Sequence, residues 1–391
     1  MAEAGLCAAA LVFFPLLVLI PRGAAALASA VVIFGLVLVA GQSRQSLERR
    51  FLTVPAALLT TLVLWGAASA AWAPDPLRAL DQAARIAGLV VAAAAVMSAD
   101  QVLAPRRLAV FLMAGFVGAM LMATADLVTG GVLSKPFSDR VYQPAWLNQA
   151  SDAFAILLLP TGAALAGSGS QLAGFFFVAV GAAIIVALAG TAAKVALAAG
   201  AICALLCYYR RAPVTRIASV LLVLTVTTAP LTFARSDRIS GLVHAADWVK
   251  FSAGHRLLIW SFVGDRIAEH PLRGWGLEAS RAIPGGRDPI RPDQTWLPLH
   301  PHNAPLQIWL ELGVPGAVPF ALLGGWLWLA IGNAEWPRLY AAAACGSLAA
   351  AMVASFATYG VWQEWWQGTL LFSLFMTLVM ARVARARAES N

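Results

Sequence analysis

The chain has 391 residues, of which 60% are hydrophobic and 12% charged. That balance excludes a soluble globular enzyme and a disordered chain, and it predicts a polytopic membrane protein. The formal net charge of +8 is split between several short connections and one long polar stretch, so no nucleic-acid partner is expected.

An apolar helix of about 20 residues crosses a bilayer. Segments of that order run along the whole chain: Ala4–Ile20, Ala24–Ala40, Phe51–Trp72, Ile86–Ser98, Leu108–Val128 and Asp152–Ala166 in the first half. Leu172–Gly190, Val195–Tyr209, Ile217–Phe233, Ala304–Ile331, Leu339–Tyr359 and Trp366–Ala381 follow. Twelve spans are predicted. The start Met1-Ala2-Glu3-Ala4 lacks a basic n-region, so the first span is expected to be retained. The seventh and eighth run together from Leu172 to Tyr209. One helix of that length overshoots a bilayer of about 30 Å at about 1.5 Å per residue. A reversal is therefore predicted near Gly190-Thr191-Ala192-Ala193-Lys194, with Lys194 at a membrane face. Cys7, Cys203, Cys207 and Cys345 all fall in apolar spans and read as small buried residues, without a disulfide or zinc pattern.

Short basic connections recur at Arg44, Arg49 and Arg50, at Arg106 and Arg107, at Arg210, Arg211 and Arg216, at Arg338, and in the tail at Arg382, Arg385 and Arg387. By the positive-inside rule this face, with both termini, is cytoplasmic. The organisation expected is nine spans in residues 1–233, a large outer loop in 234–303, and three spans with a basic tail in 304–391.

The outer loop holds Arg235, Arg238, Lys250, Arg256, Arg266, Arg273, Arg281, Arg287 and Arg291 against seven acids. That excess asks for an anionic ligand. Within the loop Ile259, Val263 and Ile267 recur at helical spacing. They predict an amphipathic helix lying on the membrane surface, with Arg256 at its start and Pro271 beyond its end. An anion at that helix start would satisfy both the arginine and the free amides. The plainer alternative pairs Arg256, Arg266 and Arg273 with Asp265, Glu269 or lipid phosphates.

The loop closes on His300-Pro301-His302-Asn303-Ala304-Pro305. Asn303 is a good N-cap and Pro305 a good early helix residue. His302 then sits before a helix start, whose dipole lowers an imidazole's pKa. A neutral histidine there suits a general base acting on a sugar hydroxyl, and equally a capping residue. His300 and His302 have no carboxylate at ligand spacing, so no metal site is predicted. Glu311, one turn after Gln307, lies within a span and needs a polar partner. It reads as a structural residue before a catalytic acid.

These residues carry a resemblance. His302-Asn303 followed by Gly313-Val314-Pro315-Gly316 resembles the signature of bacterial O-antigen ligases, in the O-antigen ligase/polymerase family. Arg256 through Trp260, then His270-Pro271-Leu272-Arg273-Gly274-Trp275-Gly276, is similar to that family's outer loop. Gly190 through Lys194 looks like its Ser-Arg turn, with Lys194 in place of arginine. The resemblance implies an all-α membrane glycosyltransferase of the GT-C type, in the bacterial inner membrane, with a partly helical periplasmic loop. The implied donor is an O-antigen glycan on undecaprenyl diphosphate and the implied acceptor a sugar of lipid A–core, with no cofactor and no metal.

The residues suit that chemistry: His302 as base, with Arg256, Lys194 and Arg140 on the diphosphate and His300, Asn303, Arg266, Arg273 and Glu311 as further candidates. An O-antigen or exopolysaccharide polymerase using the same donor is the nearest alternative. A transporter of lipid-linked glycan is the alternative from another class.

Overall fold

A computed structural model describes residues 2–20, 54–98, 105–137, 141–167, 170–235, 239 and 241–388. The predicted span Ala24–Ala40, the basic pair Arg49 and Arg50, and Arg140 lie outside these residues. The described chain is helical apart from one small hairpin. Its helices are α1 (Ala2–Leu19), α2 (Val54–Ala68), α3 (Pro76–Ser98), α4 (Pro105–Thr129), α5 (Asn148–Gly167) and α6 (Gln171–Ala187). They continue with α7 (Thr191–Thr232), α8 (Leu242–Val249), α9 (Phe251–Glu269), α10 (Ala304–Asn333), α11 (Arg338–Ala357) and α12 (Glu364–Ala388). Seven helical stretches are long and apolar enough to cross a membrane, and Ala4–Leu19 and Gln171–Ala187 are shorter apolar helices. The chain is thus an all-α protein with several candidate membrane helices.

The predicted helix break is present. Helix α6 ends at Ala187, Leu188 is extended, and Gly190 caps α7. The following two predicted spans meet at a kink within α7, where Arg210 leaves helical geometry at φ −138° and ψ 55°. Pro213 follows, and a proline there removes a helix hydrogen bond.

Two packing devices hold the bundle. One is an aromatic core among α1, α4, α5 and α12. Phe13 stacks on Phe372 at 3.9 Å, while Phe116 meets Phe14 at 5.1 Å and Phe154 at 5.4 Å. The other is close backbone approach. A Cβ on Gly346 would lie 2.7 Å from the Gly200 carbonyl, so only glycine lets α7 and α11 touch there.

The outer loop folds onto the bundle. Ile259, Val263 and Ile267 are buried, at 1%, 0% and 3% exposure, against Ala229, Leu306 and Leu310. Each such side chain stabilises by roughly 1.5–3 kcal/mol. The predicted stripe is therefore real, but it faces protein and not a membrane surface. The helix also begins earlier than expected. Lys250 caps it and Phe251 opens it, so Arg256 sits in its second turn. The missing first turn carries Phe251 and Ser252, whose exposed side chains gave no periodic signal.

Helix α10 breaks at Gly313, with φ 60° and ψ −154°. Pro315 has no N–H, so the Glu311 carbonyl four residues back has no helical partner. The Gly276 N–H donates to it at 2.8 Å, the Trp275 N–H donates to the Leu310 carbonyl at 2.8 Å, and the Val314 N–H donates to the Pro271 carbonyl at 3.2 Å. Trp65 Nε1 of α2 donates to the Leu312 carbonyl at 2.8 Å. The His270–Gly276 run and the Gly313–Gly316 run are thus two halves of one backbone joint.

That joint gives a test. Gly313 occupies a region open in practice only to glycine, and a Cβ there would press on the Leu272 carbonyl. Gly313→Ala should cost about 1–3 kcal/mol, read as a lower thermal midpoint of the detergent-solubilised protein. Leu272→Ala, whose side chain is 73% exposed, should leave the midpoint unchanged.

Candidate active site

The site is a cavity of about 950 Å³. Three helix starts open onto it: Asn148 and Gln149 of α5, Thr191 and Ala192 of α7, and Ser252 and Ala253 of α9, with Lys250 before α9. A helix start carries partial positive charge and leaves backbone N–H groups without helical partners, although here the Asn148 N–H is taken by the Ala145 carbonyl and the Ala253 N–H by the Lys250 carbonyl. Arg256, His300 and His302 also line the cavity, as do Asp152, Tyr359 and Gln363. An apolar wall at one side is made by Val18, Leu19 and Ile20 at the end of α1, with Val195 and Val353.

His302 is placed by two bonds. It adopts a left-handed backbone, φ 56°, and its N–H donates to His300 Nδ1 at 3.2 Å. Its own Nδ1 meets the Thr358 carbonyl. A carbonyl only accepts, so Nδ1 carries the proton and Nε2 is left as an acceptor. Burial lowers the His302 pKa to about 4; the nearby charges of Arg256 and His255 act the same way, and the Thr358 carbonyl opposes them. Burial thus adds to the helix start in favouring the neutral imidazole. His300 is pushed further below the usual range by burial and by His302. Its Nδ1 accepts the His302 N–H, and its Nε2 lies 3.3 Å from the Gln363 side-chain amide. Trp260 Nε1 donates to the Pro301 carbonyl at 2.9 Å and ties this turn to α9.

Arg256 is largely buried, which lowers its pKa, while Tyr359 and Asp152 oppose that shift. It stays charged. Among the described residues no carboxylate pairs with it within ion-pair distance, whereas Arg266 pairs with Glu269, Arg281 with Glu278 and Arg291 with Asp247. The cavity therefore holds a cation whose charge is not cancelled by direct contact.

The remaining predicted residues fall elsewhere. Lys194 lies in the first turn of α7, whose neighbours Thr191, Ala192 and Val195 line the cavity while Lys194 does not. Asn303 is the N-cap of α10, its Oδ1 accepting the Leu306 N–H at 3.0 Å. Arg266 lies over Phe262, 5.0 Å from its centroid, and Arg273 lies over Trp72 at 5.9 Å.

Glu311 is a structural hub. It is fully buried and accepts from the Glu278 N–H at 2.7 Å, Gln307 Nε2 at 3.0 Å, Trp362 Nε1 at 2.6 Å and Ser280 Oγ. Gln307 Oε1 in turn accepts the Val361 N–H at 2.9 Å. Among the described residues no three His, Cys, Asp or Glu side chains group as metal ligands.

Asp152, Thr358, Tyr359 and Gln363 were not singled out from sequence. Asp152 alone had a readable signal, an acid at the edge of an apolar span. Tyr359 Oη donates to Asp152 Oδ2 at 2.6 Å across 207 positions, which no local pattern encodes.

The O-antigen ligase family profile matches residues 175–321, which contain Arg256, His300, His302 and the Gly313 joint. That stretch of the chain is similar to the O-antigen ligase family. Over 135 residues it is 34% identical to a protein of Rickettsia conorii named "putative polysaccharide ligase", and 32% identical to one of Rickettsia felis with the same name. A Rickettsia prowazekii protein of that name is 36% identical over 119 residues. The first two matches cover 34% of this chain and 33% of each relative, and the third covers 29% of both. The matched stretch thus includes the histidines and Arg256, while Asp152 and Tyr359 come from outside it.

Glu311 within this stretch gives a prediction. Glu311→Gln replaces one carboxylate oxygen by an amide donor, which confronts either Ser280 and Gln307 or Glu278 N–H and Trp362 Nε1–H. The variant should lose about 2–4 kcal/mol of stability, measured by thermal unfolding in detergent.

Proposed function

We propose that this protein is an O-antigen ligase. It moves a polysaccharide from undecaprenyl diphosphate to a sugar hydroxyl of lipid A–core, as a multi-pass enzyme of the bacterial inner membrane. In this reading the fold is of the GT-C type, the cavity faces the periplasm and both termini are cytoplasmic. The reading rests on one observation above all: His302 is held through Nδ1 by the Thr358 carbonyl, with Nε2 left basic, in the cavity that holds Arg256.

The acceptor hydroxyl gives its proton to His302 Nε2 as its oxygen bonds to the anomeric carbon. The bond from that carbon to the diphosphate oxygen breaks, and its electron pair leaves with the diphosphate. Direct displacement inverts the anomeric centre. The negative charge that develops is met by Arg256, by Lys250 and by the helix starts at Thr191 and Ser252, fixed donors that need no reorganisation. Lys194 and Arg140 remain further candidates from the sequence. The wall of Val18, Leu19, Ile20 and Val353 suits the polyprenyl chain. Both substrates carry lipids, which requires a cleft reachable from the bilayer.

His302→Ala should abolish transfer from lipid-linked glycan to lipid A–core while donor binding persists. Normal capped lipopolysaccharide from that variant would remove the base assignment. Arg256→Ala should weaken donor binding by about tenfold or more, with Arg256→Lys intermediate, because lysine keeps the charge and loses the fork. A longer lipid-linked glycan as the sole product would make the protein a polymerase using the same donor.

The pH profile is a separate check. A base must be neutral, and folding lowers His302 from its ordinary 6.5 to about 4. Activity should therefore be retained as pH falls through 6.5 and lost near 4. The kcat/KM profile reports this, since it follows the free enzyme.

A further inference from the structure

The stretch from Trp146 to Asp152 forms a cavity edge that lies outside the ligase-family match. Asn148, Gln149 and Asp152 occupy the first turns of α5, and Trp146 precedes them in a short turn. Asn148 and Asp152 are four residues apart and so share a helix face. Asp152 is 2% exposed. Its Oδ2 is held by Tyr359, while its Oδ1 is buried without a partner. Asn148 Oδ1 and Ser134 Oγ, of two further lining residues, are buried without partners as well. A buried carboxylate oxygen without a donor is costly, so this edge calls for hydroxyl or N–H donors.

The charge balance narrows the class of ligand. A diphosphate finds no cation in the Asp152 carboxyl group, and a cation would be repelled by Arg256. A neutral molecule rich in hydroxyls fits both. Trp146 supplies a partly exposed ring, set edge-on to Tyr142 at 5.8 Å, and a pyranose has an apolar face that such a ring can cover.

We propose that Trp146, Asn148 and Asp152, with Tyr359 as the tether, form a sugar-binding subsite that orients a pyranose toward His302. This rests on the ligase reading for its place in the reaction, though binding itself does not need transfer. The dipeptide Thr358-Tyr359 links the two ends of the cavity. Its first carbonyl sets the tautomer of His302, and its second side chain fixes Asp152. The carboxylate, the amide and the ring then recognise sugar, and Arg256 with the helix starts recognises diphosphate. Tyr359 is a positioning residue in this scheme.

The test measures binding of three probes to the full-length protein in detergent: delipidated core oligosaccharide, bare undecaprenyl diphosphate, and glycosylated undecaprenyl diphosphate. Asp152→Asn and Trp146→Ala should each weaken a sugar-bearing probe by about tenfold or more. Both should leave bare undecaprenyl diphosphate within about twofold. Trp146→Phe should recover most of the sugar affinity, which a merely structural tryptophan would not show. Loss with core oligosaccharide assigns the subsite to the acceptor, and loss of the extra affinity of glycosylated donor over bare donor assigns it to the donor sugar. Either result upholds the subsite. Unchanged affinity for both sugar probes, or equal weakening of bare undecaprenyl diphosphate, overturns it. If Asp152→Asn does not fold, the two Trp146 variants decide. A wild-type protein that binds sugar yet transfers nothing would overturn the ligase reading and leave the subsite standing.

Discussion

The break in helix α10 at Gly313 is the constraint on which the site depends. Pro315 denies the Glu311 carbonyl its helical donor, and the His270–Gly276 run supplies one through Gly276. The Glu311 side chain then collects the Glu278 amide, Ser280, Gln307 and Trp362. One short stretch of membrane helix thereby fixes both the outer loop and the turn before α12. A buried carboxylate with four donors tolerates little displacement, since each donor left unpaired costs about 1–3 kcal/mol.

Two opposed electrostatic environments follow from that frame. Arg256 and the helix starts at Thr191 and Ser252 make the cavity electropositive, and Asp152 of α5 puts a carboxyl group into the same lining. Burial strengthens both, because a partly dry cavity screens charge poorly. The same burial keeps His302 neutral. A proton acceptor, a cation and a carboxyl group therefore line one cavity, and Asp152 acts on Arg256 through space. The His302 turn is held by backbone contacts, the Thr358 carbonyl and the Pro301 carbonyl among them, which side-chain substitutions do not easily disturb.

Much of this was legible in the chain itself, and the reasons are local. Composition determined a membrane protein because 60% hydrophobic residues cannot be buried in one soluble core. The helical period of Ile259, Val263 and Ile267, the cap at Asn303 and the helix break at Gly190 were all correct, since each depends on residues within one or two turns. His302 and Arg256 were singled out by type and context. Tertiary structure decided what local pattern cannot encode. It turned the predicted surface helix inward, joined the two glycine-rich runs at Gly313, and surrounded His302 closely enough for burial to lower its pKa. It brought Asp152 to Tyr359 across 207 positions and left Lys194 beside the cavity lining. The physical reason is the same in each case: burial and hydrogen-bond partners are properties of how helices pack, and a sequence states only which residues are available to be packed.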